Sequence, residues 1–318
     1  MDALISNFAS PIVLAFVLGI VSRLVKSNLE LPKPLYQSIS IYLLLAIGLK
    51  GGVELSKTSF DVVVWPVGAT LLLGVVTPIT AFLVLRYMGR FDMDNAAGIA
   101  AHYGSVSVVT YIAAIAYAES VGLQAEGFMP TLVALLEIPG IVVALMIPLL
   151  LSTGGGSVKK AMHEVFTGSS IMLLMGGLLI GFVSGPERFA SVEPFFVTMF
   201  NGALVLFLLE LGIVTASRLR DLKKAGLFLV GFGIIVPILH GILAIWLGLL
   251  AGLSVAGAGV FAAMVSSGSY IAAPAAVRIA LPKASPTLYL TASLGITFPF
   301  NITLGIPLYF VIANWMGG

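Results

Sequence analysis

Long apolar stretches are the feature that most restricts how this chain can fold. A helix that crosses a bilayer needs about 20 mostly apolar residues, and ten stretches of this kind follow one another. They lie at approximately 8–25, 36–53, 62–87, 95–118, 129–151, 166–184, 195–216, 226–252, 256–280 and 287–315. Only 9% of the residues are charged, against roughly 25% in soluble domains. The sequence therefore predicts an all-α polytopic membrane protein.

The basic residues predict how these spans are oriented. With the N-terminus outside, thirteen of the 16 Lys and Arg residues fall in inside loops, and only Lys50, Lys57 and Arg188 fall outside. We therefore expect a multi-pass protein of a bacterial inner (plasma) membrane with both termini outside. Asp2 precedes the first apolar run without a basic residue, which favours a retained span over a signal peptide. Lys50 and Glu54 are four residues apart and are expected to form a surface pair.

One phrase occurs twice, as "SVVTYIAA" at 107–114 and as "SSGSYIAA" at 266–273. The copies lie 159 residues apart, and the same offset relates two copies of "IPL". Matches in the same order indicate a duplication, with repeats at 1–151 and 166–318 and a cytoplasmic linker at 152–165. Because each repeat has five spans, the second must be inverted relative to the first, as in secondary transporters. We predict ten transmembrane helices arranged as two inverted five-helix repeats.

Both copies of the phrase place glycine and hydroxyl residues in the middle of a span. The fourth span contains "HYGSVSVVT" at 102–110, and the ninth contains "VSSGS" at 265–269. We therefore predict broken fourth and ninth helices that cross, because backbone groups freed at membrane depth are tolerated where they line a cavity. Half-helix N-termini suit an anion, and carbonyl and hydroxyl oxygens suit Na⁺. The alternative is that these small residues serve helix packing alone.

Acidic and histidine side chains at membrane depth are further candidates for function. Glu137, in "LLEIPG", lies in the fifth span, where an acid usually marks an ion or proton path. The alternative is a protonated side chain bonded to neighbouring backbone. The corresponding part of the second half is "ITFPFNIT", which contains Asn301. The roles of Glu210, His102 and His240 stay open at this point.

Several classes of function find no support in the sequence. A chain with no Cys and three His residues offers no convincing zinc site, and no GxxxxGK[ST] nucleotide loop is present. A membrane protease built on Ser105 or Ser107 with His240 would lack a nucleophile motif. A net charge of +2 does not suggest a nucleic-acid partner. We expect neither an enzyme nor a bound cofactor, only a coupling ion.

The segments "YLLLAIGLKGGVEL" at 42–55 and "LPKASPTLYL" at 281–290, together with "LLEIPG" and the two Ser-rich breaks, resemble the sodium-dependent bicarbonate transporter family known from cyanobacteria. The resemblance spans nearly the whole chain. It implies a core domain and a gate domain, an elevator mechanism, a homotrimer, and transport of bicarbonate with Na⁺. The substrate pocket carried over from the family consists of Gly104, Ser105, Ser107, Ser267, Gly268 and Ser269. The candidate Na⁺ ligands are Thr110, Glu137, Ser266 and Asn301.

The chain departs from the cyanobacterial pattern in three places. Glu137 stands where those members have Asp, and Ser269–Tyr270 replaces an acidic residue of the second break. The loop between the halves is shorter, which argues against the PII-like regulator of those transporters. We expect a secondary active transporter, surrounded by membrane lipid, that couples symport of a small anion, with bicarbonate as the first candidate, to Na⁺. A Na⁺/H⁺ antiporter, which normally has a buried carboxylate or Lys–Asp pair, and a Na⁺-coupled organic anion symporter, which needs a roomier cavity, remain the alternatives.

Overall fold

The computed structural model describes residues 9–151, 160, 163, 166–219 and 222–318. These residues form helices joined by turns and extended connections, and none of them lies in a β-strand. Most of the linker predicted at 152–165 lies outside the described residues. Eight helices of the described chain are long and apolar enough to cross a membrane. The protein is therefore a multi-pass, all-helical membrane protein.

Helices occupy all ten of the predicted stretches. In chain order the main helices are α1 (Pro11–Leu24), α2 (Lys33–Lys57), α3 (Phe60–Leu83, continued by the π-helical turn Val84–Met88), α4 (Met93–Tyr103), α5 (Val108–Ser120), α6 (Met129–Leu151), α7 (Ser169–Phe189), α8 (Phe200–Leu219, preceded by the π-helical turn Pro194–Thr198), α9 (Leu222–Leu250), α10 (Val255–Val265), α11 (Ala273–Ala280) and α12 (Pro286–Gly317). Two predicted spans fall short of spanning length. The first, α1, has 14 residues, and the ninth is divided into α10 with 11 and α11 with 8. The ten-helix inverted-repeat arrangement thus stays a prediction.

Polar side chains cap several of the helices that approach the middle of the bundle. The side chain of Asp92 accepts a hydrogen bond from the backbone N–H of Asn95 at the start of α4 (2.9 Å). Ser254 does the same for Gly257 at the start of α10 (3.0 Å). Caps of this kind satisfy N–H groups that have no partner inside the helix. They explain why α4 and α10, which are only 11 residues long each, begin where they do.

The span formed by α4 and α5 is the centre of the structure. In its most apolar window 89% of the residues are buried, whereas the corresponding share is 33% in α7. Large side chains of α4 and α10, such as Ile99 and Phe261, are fully buried in the hydrophobic core. The outer surface of α7 carries exposed apolar side chains, including Leu179 and Val183, as expected of a helix that faces lipid or another subunit.

Helices α2 and α7 are held together by glycines at four-residue spacing. A Cβ atom added to Gly48 would meet Gly177 of α7, and one added to Gly52 would meet the backbone of Leu178. One added to Gly181 would in turn meet the backbone of Leu49. Contacting residue numbers rise together along the two helices, so α2 and α7 run parallel. Such G-x-x-x-G pairs let two backbones approach closely, and the resulting van der Waals packing is one of the interactions that associate helices in lipid.

We predict that Gly177→Val destabilises the protein by about 1–3 kcal/mol, the usual cost of overpacking a close contact. The added side chain would meet the backbone of α2 at Gly48. Gly176→Val is the matched control, because nothing lies within 4 Å of a Cβ at that position. Thermal unfolding of the purified proteins in detergent measures both variants. Equal unfolding temperatures for the two variants would contradict the glycine contact.

Candidate functional site

The first predicted helix break lies between α4 and α5. Helix α4 ends at Tyr103, residues 104–107 are non-helical, and α5 begins at Val108. Ser107 caps α5, because its Oγ accepts a hydrogen bond from the backbone N–H of Thr110 (3.2 Å). Gly104 lies tightly against Gly140 of α6, where an added Cβ would meet backbone. The break therefore begins at a close helix contact and ends at a hydroxyl cap.

The second predicted break lies between α10 and α11. Residues 266–272 are non-helical, and the Oγ of Ser269 accepts a hydrogen bond from the backbone N–H of Ala273 at the start of α11 (3.3 Å). Gly268 lies against the side chain of Ser293, which would hinder a Cβ there. The hydroxyl of Ser266 donates to the carbonyl oxygen of Ala263 in its own helix (3.3 Å). Both breaks are thus closed by serine hydroxyls at the start of the following helix.

The two breaks are bonded directly to each other. The backbone N–H of Ser107 donates to the Oγ of Ser267 (2.7 Å), and that hydroxyl donates to the carbonyl oxygen of Met264 (2.6 Å). The backbone N–H of Ser269 donates to the carbonyl oxygen of His102 (2.8 Å). Each break therefore supplies acceptors for backbone groups that the other break has freed, as the membrane interior requires.

Glu137 of α6 lies beside the joined breaks. Its side chain is 1% exposed, and its Oε2 atom has no hydrogen-bond partner among the described residues. The hydroxyl of Ser105 donates to its backbone carbonyl oxygen (3.1 Å). An unpaired carboxylate oxygen at this depth is costly unless it binds a cation or a proton. The acid is thus placed to bind a positive ion next to both breaks.

A small cavity joins Glu137 to both breaks. Its lining includes Ser107, Glu137, Ser170, Ser269 and Tyr270. The volume open to the centre of a water molecule is about 10 Å³, which is room for about one water. The hydroxyl of Ser107 also donates to the phenol oxygen of Tyr270 (3.3 Å). In this conformation the hydroxyl groups of the two breaks and the acid line one small, shared space.

The structure does not gather the four candidate Na⁺ ligands around one space, because only Glu137 lines the cavity described above. Thr110, which does not line it, has a buried Oγ1 atom without a hydrogen-bond partner among the described residues. Asn301 instead donates to the carbonyl oxygen of Ser266 (3.1 Å) and accepts from the hydroxyl of Tyr309 (3.0 Å). The contacts of Asn301 tie α12 to the second break, and none of them involves the cavity at Glu137.

Of the six candidate substrate residues, Ser107 and Ser269 line the cavity. Gly104 and Gly268 lie in close packing contacts, while the hydroxyls of Ser105 and Ser267 are bonded to backbone carbonyls. Sequence reasoning missed Tyr270, although its place in the repeated phrase was a signal. It also missed Ser170, which has no sequence signal because it reaches the cavity from the start of α7.

The polar residues whose roles were left open have separate surroundings. His102 binds the carbonyl oxygen of Gly98 through Nδ1 (2.7 Å), and His240 contacts Thr80 through Nε2 (2.8 Å). Glu210 accepts the backbone N–H of Leu31 (3.0 Å). None of these three side chains lines the cavity at Glu137.

The prediction of an ion pair between Lys50 and Glu54 is wrong. Glu54 does not pair with Lys50; it pairs with Lys57, three residues away (2.9 Å). Both spacings bring side chains to the same side of a helix, so spacing alone could not decide between the two lysines. Lys50 instead lines a crevice between α2 and α5.

A multi-pass helical protein with two interrupted helices bonded to each other, and an unpaired acid beside them, has the plan of a secondary transporter. The family model of the Na⁺-dependent bicarbonate transporter superfamily matches residues 11–314, and the chain belongs to that family. It is therefore a transporter, and the resemblance found in the sequence is confirmed. A comparison with curated proteins gave no match.

We predict that Ser267→Ala destabilises the protein by about 1–3 kcal/mol, because it leaves the buried N–H of Ser107 without an acceptor. Ser266→Ala is the comparison variant, since that hydroxyl contacts Ala263 and Tyr309 and takes no part in the bond between the two breaks. Thermal unfolding of the two purified variants measures the difference. If Ser266→Ala cost as much as Ser267→Ala, the bond between the breaks would not be what stabilises this region.

Proposed function

We propose that this transporter couples the symport of a small anion, with bicarbonate as the first candidate, to Na⁺. The observation that carries the proposal is the cavity in which the unpaired carboxylate of Glu137 meets hydroxyl groups of both breaks. Carboxylate and hydroxyl oxygens are suitable ligands for a hard cation. Hydroxyl donors suit a small oxyanion. Because the two ions have opposite charges, each lowers the cost of placing the other at membrane depth.

The starts of two half-helices favour an anion at the same place. Ser107 precedes α5 and Ser269 precedes α11, so the positive ends of two helix dipoles lie next to the cavity residues. In transporters with broken helices, such ends bind the anionic group of the substrate. The anion is thus proposed to lie at Ser107, Ser269 and Tyr270, with Na⁺ at Glu137. Thr110, through its unpaired Oγ1, is the second proposed Na⁺ ligand.

Two polar contacts support the inverted duplication. The backbone N–H of Ser285 donates to Oδ1 of Asn95 (2.7 Å), and that of Ser254 donates to Oε1 of Glu126 (2.6 Å). With the 159-residue offset of the repeated phrase, Ser254 is the equivalent of Asn95 in the second repeat, and Ser285 is the equivalent of Glu126. In both contacts, therefore, a residue at the first position in one repeat meets a residue at the second position in the other repeat. A twofold relation between the repeats at 1–151 and 166–318 would produce such an exchange.

The glycine contacts support a gate domain separate from the broken helices. Besides the α2–α7 pair, Gly19 of α1 lies against Gly212 of α8 at backbone distance. The four helices α1, α2, α7 and α8 are proposed to form the gate, and the remaining helices the core that carries the site. By analogy with the family we also propose an elevator movement, a homotrimer and a location in a bacterial inner membrane. Na⁺ is proposed as the coupling ion, and no resident cofactor is proposed.

A Na⁺/H⁺ antiporter has less support from the cavity. Such a protein normally has a second buried charge beside the first, and among the described residues Glu137 is the only charged one that lines this cavity. The space of about 10 Å³ holds about one water molecule, so in this conformation it admits neither bicarbonate nor a larger organic anion. The choice of bicarbonate over an organic anion rests on the family.

We predict Na⁺-dependent uptake of radiolabelled bicarbonate into proteoliposomes that contain the purified protein. Glu137→Gln should raise the Na⁺ concentration for half-maximal uptake by about tenfold or more, since a lost charge-assisted ligand costs about 1.5–3 kcal/mol. Glu210→Gln is the matched control, because its amide oxygen can still accept the N–H of Leu31. Equal uptake in the complete absence of Na⁺ would contradict the coupling. Unchanged Na⁺ activation in Glu137→Gln would remove this acid from the site.

Labelling of single cysteines tests the proposed orientation. The chain has no natural Cys, so Asp2→Cys, Gly318→Cys and Lys283→Cys each introduce one thiol. In intact cells, an impermeant thiol reagent should label both terminal variants and leave Lys283→Cys unlabelled. Labelling of only one terminus would mean that the number of spans is odd.

A further inference from the structure

A water-accessible crevice opens at the end of the bundle where α2 ends. It lies between α2, α5 and the start of α8, and the volume open to the centre of a water molecule is about 190 Å³. Lys50 of α2 and Glu119 of α5 line it, together with Asn201 of α8 and apolar side chains. The basic-residue distribution predicts that this end faces outside. The crevice separates a helix of the proposed gate from a helix of the proposed core.

The ammonium group of Lys50 is available to a ligand. Among the described residues no carboxylate lies within ion-pair distance of it, since the ion pair found there joins Lys57 to Glu54. Glu119, on the opposite wall, is also outside ion-pair distance. Two opposite charges therefore face one aqueous space without neutralising each other.

The bottom of the crevice lies one helical turn from the candidate site. Tyr111 lines the crevice and is 6% exposed, and its backbone N–H donates to the carbonyl oxygen of Ser107 (3.0 Å). One turn of α-helix rises about 5.4 Å. An ion at the bottom of the crevice is thus close to the serine that lines the proposed substrate cavity.

A second space approaches the site from the other end of the bundle. The cavity at Glu137 shares Ser170 and Ile271 with a larger cavity, of about 100 Å³ for water centres, between the starts of α7 and α11. Because α7 runs parallel to α2, the start of α7 and the Lys50 crevice lie at opposite ends. The candidate site therefore lies between two aqueous spaces on opposite sides. One shares lining residues with it, and the Lys50 crevice is separated from it by one turn of α5.

We propose that the Lys50 crevice is an anion vestibule, in which the ammonium group of Lys50 binds the oxyanion before it passes Tyr111 to Ser107. This inference rests on the proposed symport of a small anion. A single charge in a narrow aqueous crevice raises the local concentration of the opposite ion, and this effect weakens as salt screens it.

Charge variants in the proteoliposome assay test the vestibule. Lys50→Gln should raise the KM for bicarbonate about three- to tenfold at low ionic strength while kcat stays nearly unchanged, because loss of a peripheral charge acts mainly on encounter. Raising ionic strength with choline chloride at constant Na⁺ should shrink the difference. Lys50→Arg should keep the normal KM. Lys57→Gln is the matched control, since Lys57 lies at the same end and is already paired with Glu54. A normal KM in Lys50→Gln, or the same rise in Lys57→Gln, would overturn the proposal.

Glu119→Gln distinguishes a vestibule from a structural Lys50–Glu119 pair. Removing the negative charge should leave the bicarbonate KM unchanged or lower it, because the anion then meets less repulsion. A structural pair predicts the opposite result. Glu119→Gln would then raise the KM as Lys50→Gln does, and the double variant would be no worse than either single variant. That outcome would overturn the assignment of Lys50 to the anion.

Lys50→Cys keeps the test valid if the glutamine variant folds poorly. Its thiol is the only one in the chain, so a cationic thiol reagent should restore a low bicarbonate KM, and an anionic reagent of similar size should not. Equal effects of the two reagents would contradict the proposal.

If the wild-type protein shows no Na⁺-dependent bicarbonate uptake, the proposed function fails. If it does, and the Lys50 variants behave normally, only the vestibule fails.

Discussion

Hydrogen bonding between the two interrupted helices is the interaction on which the centre of this structure depends. Lipid offers no partner for backbone groups, so a helix can be interrupted at membrane depth only where other groups replace the lost bonds. Here the N–H of Ser107 is bonded to Ser267, and the N–H of Ser269 is bonded to the carbonyl of His102. An unpaired buried group costs about 1–3 kcal/mol, so each break stabilises the other.

Close glycine packing turns this pair of breaks into a site. Gly104 at the first break and Gly140 of α6 approach each other at backbone distance, and Glu137 lies three residues before Gly140. The contact brings one face of α6 against the breaks and the acid with it. Gly104, which the sequence predicted as a substrate-pocket residue, thus acts on the site indirectly. It lets α6 come close enough for Glu137 to reach the hydroxyl groups.

Aromatic rings join the first helix, the last helix and the second break. Phe298 of α12 packs against Phe16 of α1 and against Tyr270 of the second break, with ring centroids 5.3 and 5.4 Å apart. Both pairs have the edge-to-face arrangement that aromatic rings prefer, and each such pair contributes about 0.5–1.5 kcal/mol beyond the area it buries. Such an interface is compatible with the proposed movement of a core against a gate, in which Tyr270 would move with the second break.

The sequence alone determined the features that are local or repeated along the chain. The length of the apolar stretches predicted where helices lie, and the glycines and serines of the repeated phrase predicted both breaks. Both predictions were possible because helix propensity and the apolar length needed to cross a bilayer are properties of a single segment. Only the tertiary structure decided which polar groups share a space. It placed Ser107, Ser269 and Glu137 around one cavity, added Tyr270 and Ser170, and paired Glu54 with Lys57 in preference to Lys50. These outcomes depend on distances between segments far apart in the chain, which helix packing sets and residue spacing does not encode.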